Sequence, residues 1–184
     1  MNKKISVLFL SVCLSVMPVY AYSSPYISTY QKEAIQNEVS TSFMGRTYTF
    51  GYGNKIKNEY FVAGENINRY STMIGIHIFR NYTDALLVAQ NMYDRLLADN
   101  QVATLAIHRF TKEPILTFYL KNEQGLELNI WRFYKSEKYN NVVGMQYLQS
   151  FKIPNGFNEQ FNLKALAQKT LEQFMIMPKM PFIY

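Results

Sequence analysis

The chain has 184 residues, of which 48% are apolar and 16% aromatic, enough to build the core of one ordinary domain. Its formal net charge of +6 comes from scattered Lys and Arg rather than from a basic run, which argues against a nucleic-acid partner. The single cysteine, Cys13, cannot form an intramolecular disulfide, so the core alone has to supply stability.

The first 21 residues have the three parts of a secretory signal peptide. Lys3 and Lys4 provide the positive start, residues 5–16 the apolar run, and Val19 and Ala21 the small residues before a cleavage site. The apolar run is short for a ~30 Å hydrocarbon core, so we expect cleavage after Ala21 and no remaining membrane anchor. Cys13 lies inside the run, so it leaves with the signal peptide without being lipidated.

Cleavage leaves 163 residues (184 minus 21) with a formal charge of +4 (17 basic minus 13 acidic). We expect residues 22–40 to be an N-terminal lead-in and residues 41–184 to form a single α+β domain. The predicted location is outside the cytoplasm, either periplasmic or secreted.

Alternating apolar residues predict strands over 43–52, 59–63 and 73–79. The period then changes to that of a helix, with Thr83 or Asn81 as its N-cap, Asp84 in its first turn, and Ala85, Ala89, Met92 and Leu96 on its apolar stripe. Four more strands follow over 102–110, 115–121, 126–135 and 142–151, and the turns at 122–125 and 136–140 have hairpin lengths.

A second helix is predicted after the break at residues 154–156. Its apolar stripe consists of Leu163, Leu166, Ala167, Leu171 and Phe174, and Pro178 ends it. Short connections make neighbouring strands antiparallel, and each helix has one apolar face to bury. The sequence therefore predicts an antiparallel sheet of about six or seven strands with two main helices packed on it.

Two groups of residues have types that bind metals. His77 and His108 would form a two-histidine site only if their strands were neighbours, and separate histidines are the alternative. Met175, Met177 and Met180 have the spacing of a Cu(I) site, but methionine also fills gaps where a helix end meets a core. Neither group is assigned a metal, and we assign no cofactor.

The strand over 126–135 is apolar on both faces. Trp131 and Phe133 share one face, while Leu128, Ile130 and Arg132 share the other. Such a strand is either central and covered or in contact with a partner. In a covered strand, Arg132 needs a carboxylate partner or an exit at the rim of the sheet.

Catalytic motifs are lacking throughout the sequence. It contains no GxSxG, SxxK, HExxH, P-loop or EF-hand pattern, and after signal cleavage no cysteine nucleophile. No catalytic residue is assigned.

Four short segments resemble small exported bacterial proteins of uncharacterised function. They are residues 60–66 (YFVAGEN), 70–74 (YSTMI), 128–132 (LNIWR) and 144–147 (GMQY), and the resemblance extends over about residues 46–152. The order of elements is similar to sandwiches of the Mog1/PsbP type, in which helices flank an antiparallel sheet. The resemblance implies no catalytic residues.

Two classes of function remain open. The first is an exported, non-enzymatic binding or accessory protein of the bacterial envelope or of a secretion assembly, with another envelope or secreted protein as its partner. The second is a secreted effector or a small enzyme whose site no motif reveals. The scarcity of catalytic groups favours the first class.

Overall fold

An antiparallel sheet of eight strands organises the protein, in the order β1-β2-β3-β4-β8-β7-β6-β5. The computed structural model describes residues 40–108, 113–122, 125–152, 159–180 and 182–183. The strands are β1 Ser40–Phe43, β2 Arg46–Asn54, β3 Lys57–Val62, β4 Thr72–Phe79, β5 Val102–His108, β6 Ile115–Asn122, β7 Gly125–Ser136 and β8 Asn141–Phe151. The helices are α1 Ala85–Leu97 and α2 Glu159–Ile176. The predicted signal peptide and most of the predicted lead-in lie outside the described residues.

The predicted α+β class is confirmed, but the predicted count of six or seven strands is wrong. The segment predicted as one strand over 43–52 is divided by a tight turn at Met44 and Gly45, whose φ angles are 50° and 73°. Two consecutive left-handed residues fit the right-handed twist of a two-residue hairpin. The turn therefore makes a short extra edge strand, β1, which pairs with β2 from Ser40↔Thr49 to Phe43↔Arg46.

Helix α1 connects the two halves of the sheet. Strands β1 to β4 pair in sequence, and the chain then passes through α1 to the far edge, so that β5 to β8 return and β8 pairs with β4. The N-cap is Asp84, whose side chain accepts hydrogen bonds from the backbone N–H of Leu86 and Leu87. The predicted caps, Thr83 and Asn81, are incorrect; Asn81 has a φ of 67° and belongs to the preceding turn.

The two helices lie on opposite faces of the sheet. Leu171 and Phe174 of α2 are buried in a cluster with apolar residues from β1 to β4 and β6 to β8. Helix α1 contacts β5 to β8, and none of its buried residues belongs to that cluster. We call the first face of the sheet the α2 face and the second the α1 face. The predicted packing of both helices on the sheet is confirmed, although the side chains of Leu163 and Leu166 lie outside the described residues.

Neither helix has the length and apolar character needed to cross a membrane, within the ranges that the structure describes.

Candidate functional site

The two histidines do not form a joint site. His77 lies on β4 and His108 on β5, and three strands separate β4 from β5. They also lie on opposite faces, because His108 is paired with Ile115 on the α2 face while His77 is on the α1 face. Thr117 Oγ1 lies 3.4 Å from Nε2 of the His108 ring. Among the described residues, no group of three or more His, Cys, Asp and Glu is arranged to hold a metal ion.

The three methionines of the C-terminal segment are divided between core and surface. Met177 and Met180 belong to the cluster on the α2 face, whereas Met175 is 40% exposed. Two of the thioethers therefore fill the core where α2 ends, which is the ordinary role of methionine.

Strand β7 is a central strand between β6 and β8. Of the two outcomes expected for Arg132, a carboxylate partner or an exit at the rim of the sheet, the structure shows the first. Its Nε donates to Glu113 Oε2 at 2.6 Å, and one guanidinium nitrogen donates to the carbonyl of Met177 at 2.8 Å. Lys179 contacts the other oxygen of Glu113 at 2.6 Å and lies over the Tyr134 ring. These contacts hold the C-terminal segment on the α2 face, so they explain Arg132 structurally.

The α1 face carries the unusual chemistry. Six polar side chains on four adjacent strands, β3, β4, β8 and β7, are buried there; we call them the polar band, and they are Lys57, Glu59, His77, Glu127, Asn129 and Gln146. Buried polar groups destabilise a fold unless hydrogen bonds or ion pairs compensate for the lost water. A concentration of them on one face therefore indicates either a closed structural network or a place where another molecule supplies partners.

Four members of the polar band form a hydrogen-bonded chain across three strands. His77 Nε2 is 3.1 Å from Gln146 Oε1, Gln146 Nε2 donates to Asn129 Oδ1 at 2.8 Å, and Asn129 Nδ2 donates to Glu127 Oε1 at 3.4 Å. A carboxylate only accepts hydrogen bonds, so Glu127 sets the direction of the whole chain. In that direction Gln146 Oε1 is an acceptor, and His77 is the tautomer with its proton on Nε2.

His77 is held neutral by its surroundings. Burial, together with the positive charge of Lys57, lowers the pKa of His77 to about 3, against the weaker opposing effect of its bond to Gln146. The ring also packs against Trp131, with 4.7 Å between ring centroids. His77 is therefore a hydrogen-bond donor with an apolar neighbour at neutral pH.

Gly75 leaves room for this arrangement. A Cβ atom at Gly75 would lie 2.7 Å from His77 Nε2 and 3.1 Å from Gln146 Oε1. The side chains of His77 and Gln146 thus cover the backbone of β4 at Gly75, and any larger residue at this position would displace them. Gly75 pairs with Glu59 on β3 and with Gln146 on β8, and Gln146 pairs with Trp131 on β7. These four residues therefore form one row across the sheet.

An apolar patch lies between the two carboxyl groups of the polar band. Phe61, Met73 and Leu148 form it, and the partly exposed Tyr70 packs against it, with 5.8 Å between the Tyr70 and Phe61 ring centroids. Burial raises the pKa of Tyr70, and the charges of Glu127 and Glu59 raise it further. The Tyr70 hydroxyl is thus within electrostatic reach of both carboxyl groups.

Two atoms of this face are buried without a hydrogen-bond partner. One is Glu59 Oε2; the other oxygen of Glu59 pairs with Lys57 Nζ at 2.8 Å. The second is Trp131 Nε1, whose ring stacks on Phe133 and borders Gly144. Glu59 is 2% and Trp131 6% exposed, so water does not reach these atoms freely. An unpaired carboxylate oxygen requires a donor and an unpaired indole N–H requires an acceptor.

Burial of Glu127 raises the pKa of its carboxyl group, against the lowering effect of hydrogen bonds from Asn129 and Ser150.

A protein-family model matches residues 37–180, more than half of the chain. The chain belongs to this family. The family is of bacterial type and its function is uncharacterised. No curated protein matches the chain.

The family match includes all four segments on which the sequence resemblance rests, and they lie on the four strands of the polar band. Their side chains on the α1 face include Phe61, Met73, Asn129, Trp131 and Gln146. The Gly-Glu pair of the first segment has a structural role in the β3–β4 loop. Gly64 has a φ of 83°, and Glu65 Oε1 accepts hydrogen bonds from the N–H and hydroxyl of Ser71.

Sequence reasoning did not identify the polar band. Lys57, Glu59 and Glu127 are charged residues in alternating strands, a pattern that ordinarily indicates a solvated face. The four resembling segments lie on the same strands, but the resemblance assigned no site to them.

Proposed function

We propose that this family member is an exported, non-enzymatic binding protein of the bacterial envelope or of a secretion assembly, and that the polar band is its ligand site. One observation carries the proposal: Glu59 Oε2 and Trp131 Nε1 are buried on one face without partners. Leaving such a group unpaired costs about 1–3 kcal/mol each, a sizeable part of the ~5–15 kcal/mol that stabilises a domain. A bound ligand that pairs with either atom would recover part of this free energy.

The chemistry of His77 favours binding over catalysis. A general acid or base works best with a pKa near the operating pH. With a pKa of about 3 and its Nε2 proton directed at Gln146, His77 is suited to positioning a neighbour. A secreted effector or small enzyme remains the alternative function, and turnover of a ligand bound at the polar band would favour it.

Export is part of the proposal and rests on the signal-peptide pattern of residues 1–21. The finer architectural assignment, a sandwich of the Mog1/PsbP type, is also part of it. It rests on the order of elements in the sequence, whereas the structure itself shows the coarser arrangement of an antiparallel sheet with one helix on each face.

Trp131 provides the test, because it is the only tryptophan of the chain and lies at the proposed site. Purified protein beginning at Tyr22 is titrated with small polar metabolites while the fluorescence of Trp131 is recorded. We expect at least one compound to shift the emission saturably and to raise the melting temperature, since a ligand of the folded state stabilises it.

Glu59→Gln should weaken that binding, because the amide cannot accept a cationic or strong donor as the carboxylate does. Glu172→Gln makes the same charge change at an exposed position of α2 and should bind as the parent does. If every compound leaves both fluorescence and melting temperature unchanged, or if Glu59→Gln binds as the parent does, the polar band is a structural network rather than a ligand site.

A further inference from the structure

We propose that residues 33–39, the stretch immediately before β1, lie on the α1 face and cover the apolar patch and the neighbouring end of the polar band. The stretch lies outside the described residues, and the proposal rests on the side chains that it would cover. It concerns the same face as the proposed binding function but does not depend on a ligand. Any molecule that reaches Glu59 would have to displace this cover.

One row of the sheet shows where the α1 face is covered. Thr49 on β2, Phe61 on β3, Met73 on β4 and Leu148 on β8 are successive register partners. Thr49 is exposed, whereas each of the other three side chains is 2% exposed. An uncovered face of an antiparallel sheet stays in contact with water, as Thr49 does. The cover of the α1 face therefore begins at β3 and extends over β4 to β8.

Helix α1 does not account for this cover. Its contacts are concentrated on β5 to β8, so β3 and β4 need another element above them. Within the described ranges, the apolar side chain that packs against the patch is that of Tyr70. One ring does not shield side chains on three neighbouring strands, whose axes span about 10 Å.

The connectivity of the chain points to the stretch before β1. Residues 109–112 and 123–124 join β5 to β6 and β6 to β7, away from β3, and residues 153–158 lead from β8 to α2 on the other face. The stretch before β1, by contrast, joins the sheet beside the patch, because Ser40 pairs with Thr49 of the same row.

The burial of Lys57 agrees with this path. Lys57 begins β3 directly after the turn from β2, a position from which a lysine side chain ordinarily reaches water, yet it is buried beside Glu59. Because β1 runs antiparallel to β2, the chain before Ser40 leads toward that turn. Residues 33–39 therefore pass onto the α1 face next to Lys57.

The stretch has the length and the composition for this position. Seven extended residues span about 23 Å, and the four strand spacings from β1 to β8 amount to about 19 Å. Ala34, Ile35 and Val39 provide apolar side chains for the patch, and the other four residues are polar. Burying the three apolar side chains stabilises the covered state in proportion to the area removed from water.

Single-cysteine reporters test the cover, because protein beginning at Tyr22 contains no cysteine. Met73→Cys places a thiol on the patch, and Thr49→Cys places one at the exposed end of the same row. We expect an alkylating reagent to modify the thiol of Met73→Cys at least about a hundredfold more slowly than that of Thr49→Cys, since the patch reacts only when the cover opens.

Ile35→Asp puts a charge into the apolar side of the proposed cover. It should speed the modification of Met73→Cys at least about tenfold, because the covered state loses an apolar contact. Leu128→Cys reports on the buried α2 face and should stay as slow as before. Ile176→Asp makes the same substitution at an exposed position of α2 and should leave both reporters unchanged.

Equal rates for Met73→Cys and Thr49→Cys would overturn the proposal, and so would a Met73→Cys rate that Ile35→Asp does not change. If Ile35→Asp speeds both buried reporters equally by unfolding the domain, the milder Ile35→Ala replaces it. Equal acceleration in that variant, or none, would overturn the proposal as well. The proposed binding function fails separately, when no metabolite shifts the fluorescence of Trp131, so the two failures are distinguishable.

Discussion

Acidification should destabilise the protein through His77, well above the pH at which most carboxyl groups titrate. In the folded protein, burial and the charge of Lys57 lower the pKa of His77 to about 3, whereas an exposed histidine titrates near 6.5. The unfolded chain therefore binds this proton more readily than the folded protein. The contribution to stability is fully present above about pH 6.5 and is lost as the pH falls toward 3.

The size of the effect follows from the two pKa values. Protonation of the unfolded chain lowers the free energy of unfolding by about 2 kcal/mol at pH 5 and by about 3 kcal/mol at pH 4, relative to neutral pH. Between the two pKa values, each pH unit changes the free energy of unfolding by about 1.4 kcal/mol. Urea unfolding between about pH 7.5 and 5 measures this loss directly.

His77→Gln isolates the histidine from the other titrating groups. Glutamine can still donate to Gln146 but does not titrate, so the variant should lose about 2 kcal/mol less than the parent between neutral pH and pH 5. The difference between the two proteins cancels the contribution of Glu127, whose raised pKa acts in the opposite direction. His108→Gln removes the histidine that is not buried and should keep the acid sensitivity of the parent. Equal acid sensitivity in His77→Gln and the parent would show that His77 is not a buried neutral group.

Four other predictions concern packing, the C-terminal contacts and processing. Phe174→Ala should lower the free energy of unfolding, measured in urea melts, by about 3–5 kcal/mol, because this buried ring packs between two other rings. Lys169→Ala, on the exposed side of α2, should change it by less than about 0.5 kcal/mol. Gly144→Ala should destabilise by about 1–3 kcal/mol in the same assay, since a Cβ there would lie 2.8 Å from a neighbouring ring. Glu113→Gln should destabilise by about 1–3 kcal/mol at neutral pH, and by less in acid. Its folded pKa is lowered, because the bonds from the two basic partners outweigh the desolvation that raises it; equal losses at both pH values would refute this. Mass spectrometry of exported protein should find Tyr22 as the first residue, and an intact N-terminus would contradict the signal peptide.

Local patterns were sufficient to predict most of the elements. Alternation predicted β4 and β6 to β8 to within a residue or two, because the pleat places successive side chains on opposite faces whatever the strand pairs with. The double apolar pattern of β7 correctly predicted a central strand, and one of the two outcomes expected for Arg132, a carboxylate partner, is found in Glu113. The Met44–Gly45 turn was missed because methionine is uncommon in the left-handed region and carries no turn signal.

The pairing of β4 with β8 and the polar band were decided by the tertiary structure alone. Glu59 and Glu127 are distant in sequence, and each looks like a solvent-facing residue of an alternating strand. They come to share a buried face only because β3, β4, β8 and β7 become neighbours. Alternation determines which side chains share a face of one strand, but burial of that face depends on contacts between distant segments, which a local pattern does not contain.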